Sequence, residues 1–312
     1  LYELDTISQT VTRIITIDNA TNVDWEDITQ DETSIYIGDI GNNSGVRTDL
    51  KIYKINKNDY LNSTNIISEI INFNYSDQVD FTSNPNNTEW DSEALINFDM
   101  SLILMTKNWV NGLTKAYSIP KNSGTYTVNP LTTTLTSGGL ITGSTYNELT
   151  GKLYSVGYNS ILQPFVWISE SFLGNDIFSG TNTQILLTSL GFEQVEAITH
   201  IEPNRYFMTS ESFNIPPFSE DAKSISFSTN DEVLSLAEEL VNNFNLYPNP
   251  VKDILNIDGI EFISFEIYDT TYRLVYQSFS QKANISTLIK GMYLVKINLT
   301  NQVYKIKKII KE

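Results

Sequence analysis

The chain has 312 residues, 40% hydrophobic and 12% aromatic, which is enough apolar surface for two packed domains and too much for a disordered chain. A formal charge of −17 at pH 7 argues against a nucleic-acid partner, since phosphate binding needs clustered Lys and Arg. With no cysteine, disulfides, thiolate metal sites and cysteine nucleophiles are excluded.

Short runs of Thr, Ile and aromatic residues, broken by Asn, Asp, Gly and Ser, predict an almost all-β protein. Leu1 to Asp5 and Val11 to Ile17 read as two strands, the outer pair of a unit whose inner strands precede Leu1, behind a removed leader. No run approaches the ~20 apolar residues of a transmembrane segment.

The motif Val23-Asp24-Trp25-Glu26-Asp27-Ile28-Thr29 comes next, an acidic residue followed by an apolar pair. It returns at Asp91-Ser92-Glu93-Ala94-Leu95-Ile96 and at Gln194-Val195-Glu196-Ala197-Ile198-Thr199. Glu26 and Glu93 are 67 residues apart, Glu93 and Glu196 103 apart, and Ser144 divides the second interval into 51 and 52. Ser144 therefore takes the glutamate position of a fourth copy, at a spacing near the ~40 to 50 residues of known propeller blades.

Second strands follow at Ser34 to Asp39, Ser101 to Thr106, Lys152 to Gly157 and Arg205 to Thr209. Third strands fit Lys51 to Ile55, Thr114 to Ile119, Pro164 to Ser169 and Ala222 to Ser228, and outer strands fit Ile67 to Tyr75, Pro130 to Thr136 and Thr183 to Thr188. Four short antiparallel strands repeated radially make a β-propeller, here of about five blades with the first incomplete. A pair of β-sandwiches is the alternative. The longer first interval places an insertion of about 16 residues in Asn74 to Thr88, a loop just before an inner strand. The single histidine, His200, reads as a solvated turn residue rather than a member of a Ser-His-Asp triad.

If the acidic residues open the inner strands, they stand at one mouth of a central channel, with the loops that join second to third strands. Asp24, Glu26, Asp91, Glu93 and Glu196 there offer hard oxygen ligands suited to Ca²⁺. Trp25, Arg47, Trp90, Trp109 and Tyr158 offer a surface for an extracellular glycan or protein ligand. A Ca²⁺-dependent hydrolase of the phosphoesterase, lactonase or glycosidase type is a second reading, in which a metal polarises substrate and a carboxylate activates water. An acidic mouth with only Arg47 and Lys107 nearby receives an anionic substrate poorly. A third reading is a non-catalytic surface scaffold, its glutamates capping neighbouring strands and its tryptophans wedged between blades.

Charge steps near the end of the chain: residues 1–243 carry 11 basic and 31 acidic side chains, residues 244–312 carry 9 and 6. That step separates a domain over 1–228, a linker over 229–243 and a terminal module over 244–312. In the linker, Val233, Leu234, Leu236, Ala237, Leu240 and Val241 fit a short helical face, and a strand fits equally. In the module, Leu255/Ile257, Phe265/Ile267, Tyr293/Val295/Ile297 and Val303/Lys305/Lys307 alternate at period two, as in a small β-sandwich.

The blocks Phe244-Asn245-Leu246-Tyr247-Pro248-Asn249-Pro250-Val251, Leu255-Asn256-Ile257, Ile267-Tyr268-Asp269-Thr270, Arg273-Leu274-Val275, Ile285-Ser286-Thr287-Leu288, Lys290-Gly291-Met292-Tyr293-Leu294-Val295-Lys296-Ile297 and Lys307-Lys308-Ile309-Ile310 follow in order. They closely resemble the type A C-terminal sorting domain of type IX secretion substrates in Bacteroidota. The resemblance implies a sorting signal carried by Tyr247, Pro248, Asn249, Pro250, Gly291, Tyr293, Lys307 and Lys308. It also implies recognition by the type IX secretion machinery and export through the periplasm to the outer-membrane surface or beyond. Tyr272 stands where the family usually has Gly, and an Ig-like adhesive module is the alternative. Residues 1–228, with Asp24-Trp25-Glu26-Asp27-Ile28 and Tyr36-Ile37-Gly38-Asp39-Ile40-Gly41-Asn42-Asn43, are similar to the propeller-like domains that precede such tails. This less specific likeness implies fold and export, with no settled chemistry.

Overall fold

Apolar and β-branched runs of five to nine residues produce strands almost throughout, and the only α-helix among the described residues is Lys57–Asn62, begun by the Asn56 side chain accepting from the Asn58 N–H. The structure, a computed structural model, describes residues 1–5, 8, 10–215, 218–231, 244–259, 262–270, 273–299 and 304–312. It divides into two compact units, Leu1–Asp231 and Glu232–Glu312. The apolar residues of the linker, Tyr272 and Val303 lie outside the described residues.

In the first unit, each copy of the acidic motif opens the strand at one edge of a sheet. These edge strands are Trp25–Gln30, Ser92–Phe98, Leu140–Asn147 and Gln194–Glu202. Each pairs antiparallel with the strand that follows it, Ser34–Asp39, Ser101–Thr106, Lys152–Tyr158 and Arg205–Glu211. The four edge strands lie side by side in chain order. Between the sheets lie the cores. Tyr36, Ile52, Leu102, Leu104 and Tyr117 join the first sheet to the second, Ile96, Ile103, Met105, Ile141 and Phe165 the second to the third, and Tyr154, Val166, Val195, Tyr206 and Met208 the third to the fourth. Strands covered on both faces this way read as continuous apolar runs, as Leu102 to Met105 does. Full burial of each such Leu, Ile or Phe contributes about 1.5 to 3 kcal/mol.

Neighbouring edge strands join through side chains rather than a backbone ladder. The Leu95 N–H donates to Asp27 Oδ2 at 2.7 Å, the Asn97 N–H donates to Thr29 Oγ1 at 3.1 Å, and the Thr142 hydroxyl donates to the Val195 carbonyl. Gly143 allows the close approach, for a Cβ there would stand 2.7 Å from the Glu196 carbonyl oxygen and 2.9 Å from Ala197 Cα. Strand capping thus falls to Asp27 and Thr29.

Three local expectations change. Pro130 to Thr136 lies outside the third strand of the second sheet as expected but pairs with it only in pieces: Leu135 and Thr136 face Thr114 and Leu113, Pro130 bridges to Tyr117, and the Leu131 N–H donates to the Ala116 carbonyl at 2.8 Å. The preceding segment Gly124–Val128 pairs in parallel with Glu69–Tyr75 of the first sheet, because Tyr126 and Val128 then pack into the core between the two sheets. His200 is a half-buried strand residue whose Nδ1 lies 3.0 Å from Thr145 Oγ1, and burial lowers its pKa. Ser144 is also displaced from the glutamate register by the strand pairing described below.

The insertion lies on the Gly41 to Asp49 loop: the Asn84 and Asn86 N–H groups donate to the Ser44 and Asn43 carbonyls at 3.0 and 2.8 Å, and Gln78 Nε2 donates to the Gly45 carbonyl at 2.9 Å. At the start of the chain Tyr2–Asp5 and Thr10–Ile14 form a hairpin, held by the Glu3–Arg13 ion pair at 3.2 Å.

In the second unit a three-stranded sheet (Asn245–Tyr247, Ile254–Asp258, Lys282–Asn284) and a four-stranded sheet (Leu274–Ser278, Ser264–Tyr268, Gly291–Asn298, Tyr304–Lys311) share one core. Leu255, Ile257, Phe265, Ile267, Tyr293, Val295 and Ile297 fill it, the alternation legible in the sequence.

Candidate functional site

Every edge strand of the first unit begins with a β-bulge at the same position. Trp25 faces Asp39 and Asp27 faces Gly38, which leaves Glu26 as the extra residue. Ser92 faces Thr106 and Ala94 faces Met105, leaving Glu93. Ile141 and Gly143 face Gly157 and Val156, leaving Thr142, while Val195 and Ala197 face Ser210 and Thr209, leaving Glu196. A bulge bends its strand and re-aims the extra side chain. Thr142, not Ser144, therefore holds the fourth register position. Ser144 lies two residues further on, buried, its hydroxyl donating to Ser155 Oγ at 2.8 Å.

The re-aimed carboxylates share one cation. Lys107 follows the second strand of the second sheet, its N–H donating to the Asp91 carbonyl at 2.6 Å. Its Nζ donates to Glu93 Oε1 at 2.7 Å, with both side chains under 10% exposed. The ammonium lies 4.9 Å from the Trp109 ring centroid and 5.7 Å from that of Tyr158, close enough for cation–π attraction. Asp91 is wholly buried, its Oδ1 accepting the Asn42 N–H at 2.6 Å and its Oδ2 accepting the Trp109 indole N–H at 2.7 Å. Asp24 and Glu26 press their carboxyls against Gly41, where a Cβ would collide with both.

Burial dominates the electrostatics. It pushes Glu26 up to about 8, with repulsion from Asp24 and Asp91 and a hydrogen bond to Asp24 adding to the rise, which favours the protonated form of Glu26. Burial pushes Glu196 to about 7 and Tyr158 to about 12, each moderated by Lys107. Glu93 rises well above the carboxylate range through burial, with Asp91, Glu26 and Glu196 adding to the rise and Lys107 opposing it. Burial alone would lower Lys107, but Glu93, Tyr158 and Glu196 hold it above the ordinary lysine value.

Of the ten residues expected at the mouth, Asp24, Glu26, Asp91, Glu93, Glu196, Trp109 and Tyr158 gather around Lys107. The other three are engaged elsewhere, although Arg47 shares Asp39 Oδ1 with the Asp24 N–H. Arg47 clamps its own loop, paired with Asp39 and Asp49 at 3.0 Å each and donating to the Gly41 carbonyl at 2.8 Å. Trp25 packs on Tyr53 at 5.9 Å, and Trp90 packs on the core between the first two sheets, with Lys115 Nζ 5.3 Å from its ring centroid. Among the described residues no group of three or more His, Asp or Glu side chains is arranged to hold a metal ion.

In the second unit, Asn249 stands in for a strand residue. Its Oδ1 accepts the Ile310 N–H at 2.8 Å and its Nδ2 donates to the Lys308 carbonyl at 3.1 Å, closing the outer edge of the last strand. The Val251 N–H then donates to the Ile310 carbonyl at 2.7 Å, and the Glu312 N–H to the Val251 carbonyl at 2.9 Å. Pro248 and Pro250 flank this clasp without N–H groups of their own to satisfy. Tyr247 is 47% exposed. Gly291 opens the strand that carries Tyr293, which is buried with its hydroxyl on the Ile289 carbonyl at 2.8 Å. Lys307 Nζ donates to the Phe244 carbonyl at 2.7 Å above the Phe244 ring, and Lys308 is exposed.

No helix among the described residues is long and apolar enough to cross a membrane. No curated protein matches the chain. Residues 245–312 match the secretion system C-terminal sorting domain family, here of the type IX kind, and this tail implies recognition by that machinery and export to the cell surface or extracellular space.

Proposed function

We propose that the protein is an exported β-propeller whose first unit binds an extracellular glycan where the four edge strands begin. The bulge-aimed carboxylates that converge on Lys107 between Trp109 and Tyr158 carry this reading. Carboxylates accept sugar hydroxyls, a fixed ammonium donates to them, and aromatic faces stack on the apolar face of a pyranose. The radial reading of the four sheets is supported by edge strands adjacent in chain order and by the recurrence of one bulge. A panel of soluble polysaccharides titrated against the full chain, read by tryptophan fluorescence, tests the proposal. Quenching by at least one glycan is expected, and no response across the panel contradicts it.

A hydrolytic reading has one observation in its favour, two carboxyls raised toward neutrality, Glu26 to about 8 and Glu196 to about 7. A protonated Glu26 would serve as general acid. Turnover of aryl glycosides or esters that disappears in Glu26→Gln would support it, and no turnover by the wild type would end it. A Ca²⁺ ion among these carboxylates would compete with Lys107 Nζ for Glu93. Thermal unfolding with Ca²⁺ and with EDTA reads that competition, a raised midpoint with Ca²⁺ meaning that the ion wins.

A further inference from the structure

The four-stranded sheet of the second unit has an outer face that is polar across Gln277, Glu266 and Lys296 and apolar in the next row toward its other end. Tyr293, Val295 and Ile297 point into the core, so Met292 and Leu294 point outward. Met292 pairs with Ile310 and Leu294 with Lys308 on the last strand, while Leu294 faces Tyr268, which in turn faces Leu274. Met292, Ile310 and Leu274 are 46%, 45% and 47% exposed. A one-sided antiparallel sheet ordinarily turns polar residues to water. Here an apolar band runs from Leu274 through Tyr268 to Leu294, with Met292 and Ile310 beside it, and ends at the exposed Lys308.

Charge and edge closure narrow what fits. The segment that carries the face has 9 basic against 6 acidic side chains in a chain of net charge −17. Asn249 and Val251 occupy the outer edge at the end of the last strand, so a partner strand cannot add there by backbone pairing. Recognition of this end of the sheet then falls to its face.

We propose that the band formed by Met292, Leu294, Leu274 and Ile310, rimmed by Lys308, is the surface on which the export machinery docks through an apolar protein patch bordered by acidic residues. This inference rests on the export assignment and adds the contact surface to it. Aliphatic side chains at the centre supply most of the binding, and Lys308 at the rim sets orientation and encounter rate.

The test follows export of the full chain in a bacterium with type IX secretion, comparing periplasmic with external protein by immunoblot. Deleting residues 245–312 should trap the protein in the periplasm. The double variant Met292→Ser/Ile310→Ser, and separately Lys308→Glu, should cut external protein about tenfold. Phe279→Ser, at another exposed apolar residue, should export as the wild type does. Thermal midpoints within about 2 °C of wild type show that the variants fold. If the double variant does not fold, the exposed Lys308→Glu decides alone. Wild-type export by Lys308→Glu and by a folded double variant, with the deletion trapped, overturns the docking face, as does an equal loss in Phe279→Ser. Normal export of the deletion overturns the export assignment itself.

Discussion

Replacing Lys107 by Met removes the cation paired with Glu93 while keeping an apolar stem between Trp109 and Tyr158. The Glu93 and Lys107 side chains are 9% and 8% exposed, so Glu93 is left as an unpaired carboxylate out of water. Removing one partner of such a pair costs about 3 to 5 kcal/mol. At about 2 to 4 °C per kcal/mol for a unit of this size, the midpoint of the first unit should fall by about 10 °C at pH 8, read by scanning calorimetry of the full chain. The pH dependence fixes the sign. Burial and the neighbouring carboxylates already raise Glu93, and losing Lys107 raises it further, so the variant's stability is retained at low pH and lost as pH rises. The deficit should therefore shrink as pH falls from 8 to 5 and Glu93 takes up a proton, and adding Glu93→Gln should recover part of the loss at pH 8. A loss under about 1 kcal/mol at pH 8, or an equal deficit at both pH values, would refute the buried-pair account.

Asp27 accepts the Leu95 N–H, yet burial pushes it up to about 7, so its contribution to stability is present at low pH and is lost as pH rises toward 7. Asp27→Asn keeps the acceptor and should flatten the decline in stability between pH 4 and 7 by up to about 4 kcal/mol, and an unchanged slope would count against it. Asn249→Ala removes two hydrogen bonds from the edge of the last strand and should destabilise the second unit by about 1 to 3 kcal/mol, with faster hydrogen exchange at Ile310, whereas unchanged exchange there would deny the clasp. Gly143→Val should separate the third and fourth edge strands and lower the midpoint of the first unit by several degrees, and a neutral result would mean that those strands are not in close contact.

Strands were legible because period-two alternation and the turn residues between runs are local properties of the chain. The acidic copies at Glu26, Glu93 and Glu196 were legible for the same reason. The bulge that unites them belongs to the pairing of two strands, so equal spacing led to Ser144 when pairing selects Thr142. The parallel addition of Gly124–Val128 to the first sheet is likewise non-local, decided by the burial of Tyr126 and Val128. Trp25 and Trp90 looked like binding aromatics because composition does not distinguish a wedge from a platform, and Arg47 looked available because Asp39 and Asp49 meet it only after the loop folds. Lys107 as the centre of the cluster left a faint trace, a cation directly after a second strand in a very acidic unit. The tail was legible through Tyr-Pro-Asn-Pro and the alternating strands, whereas the pairing of the Asn249 side chain with a strand about sixty residues later was not.

The most direct test of a glycan site around Lys107 is the affinity, by isothermal titration, of the polysaccharide that quenches the wild type most strongly. Trp109→Ala should weaken it at least about tenfold, while Trp90→Ala, which alters an aromatic residue outside the cluster, should bind as the wild type does. Equal affinity in the wild type and Trp109→Ala, or an equal loss in both variants, would contradict the assignment.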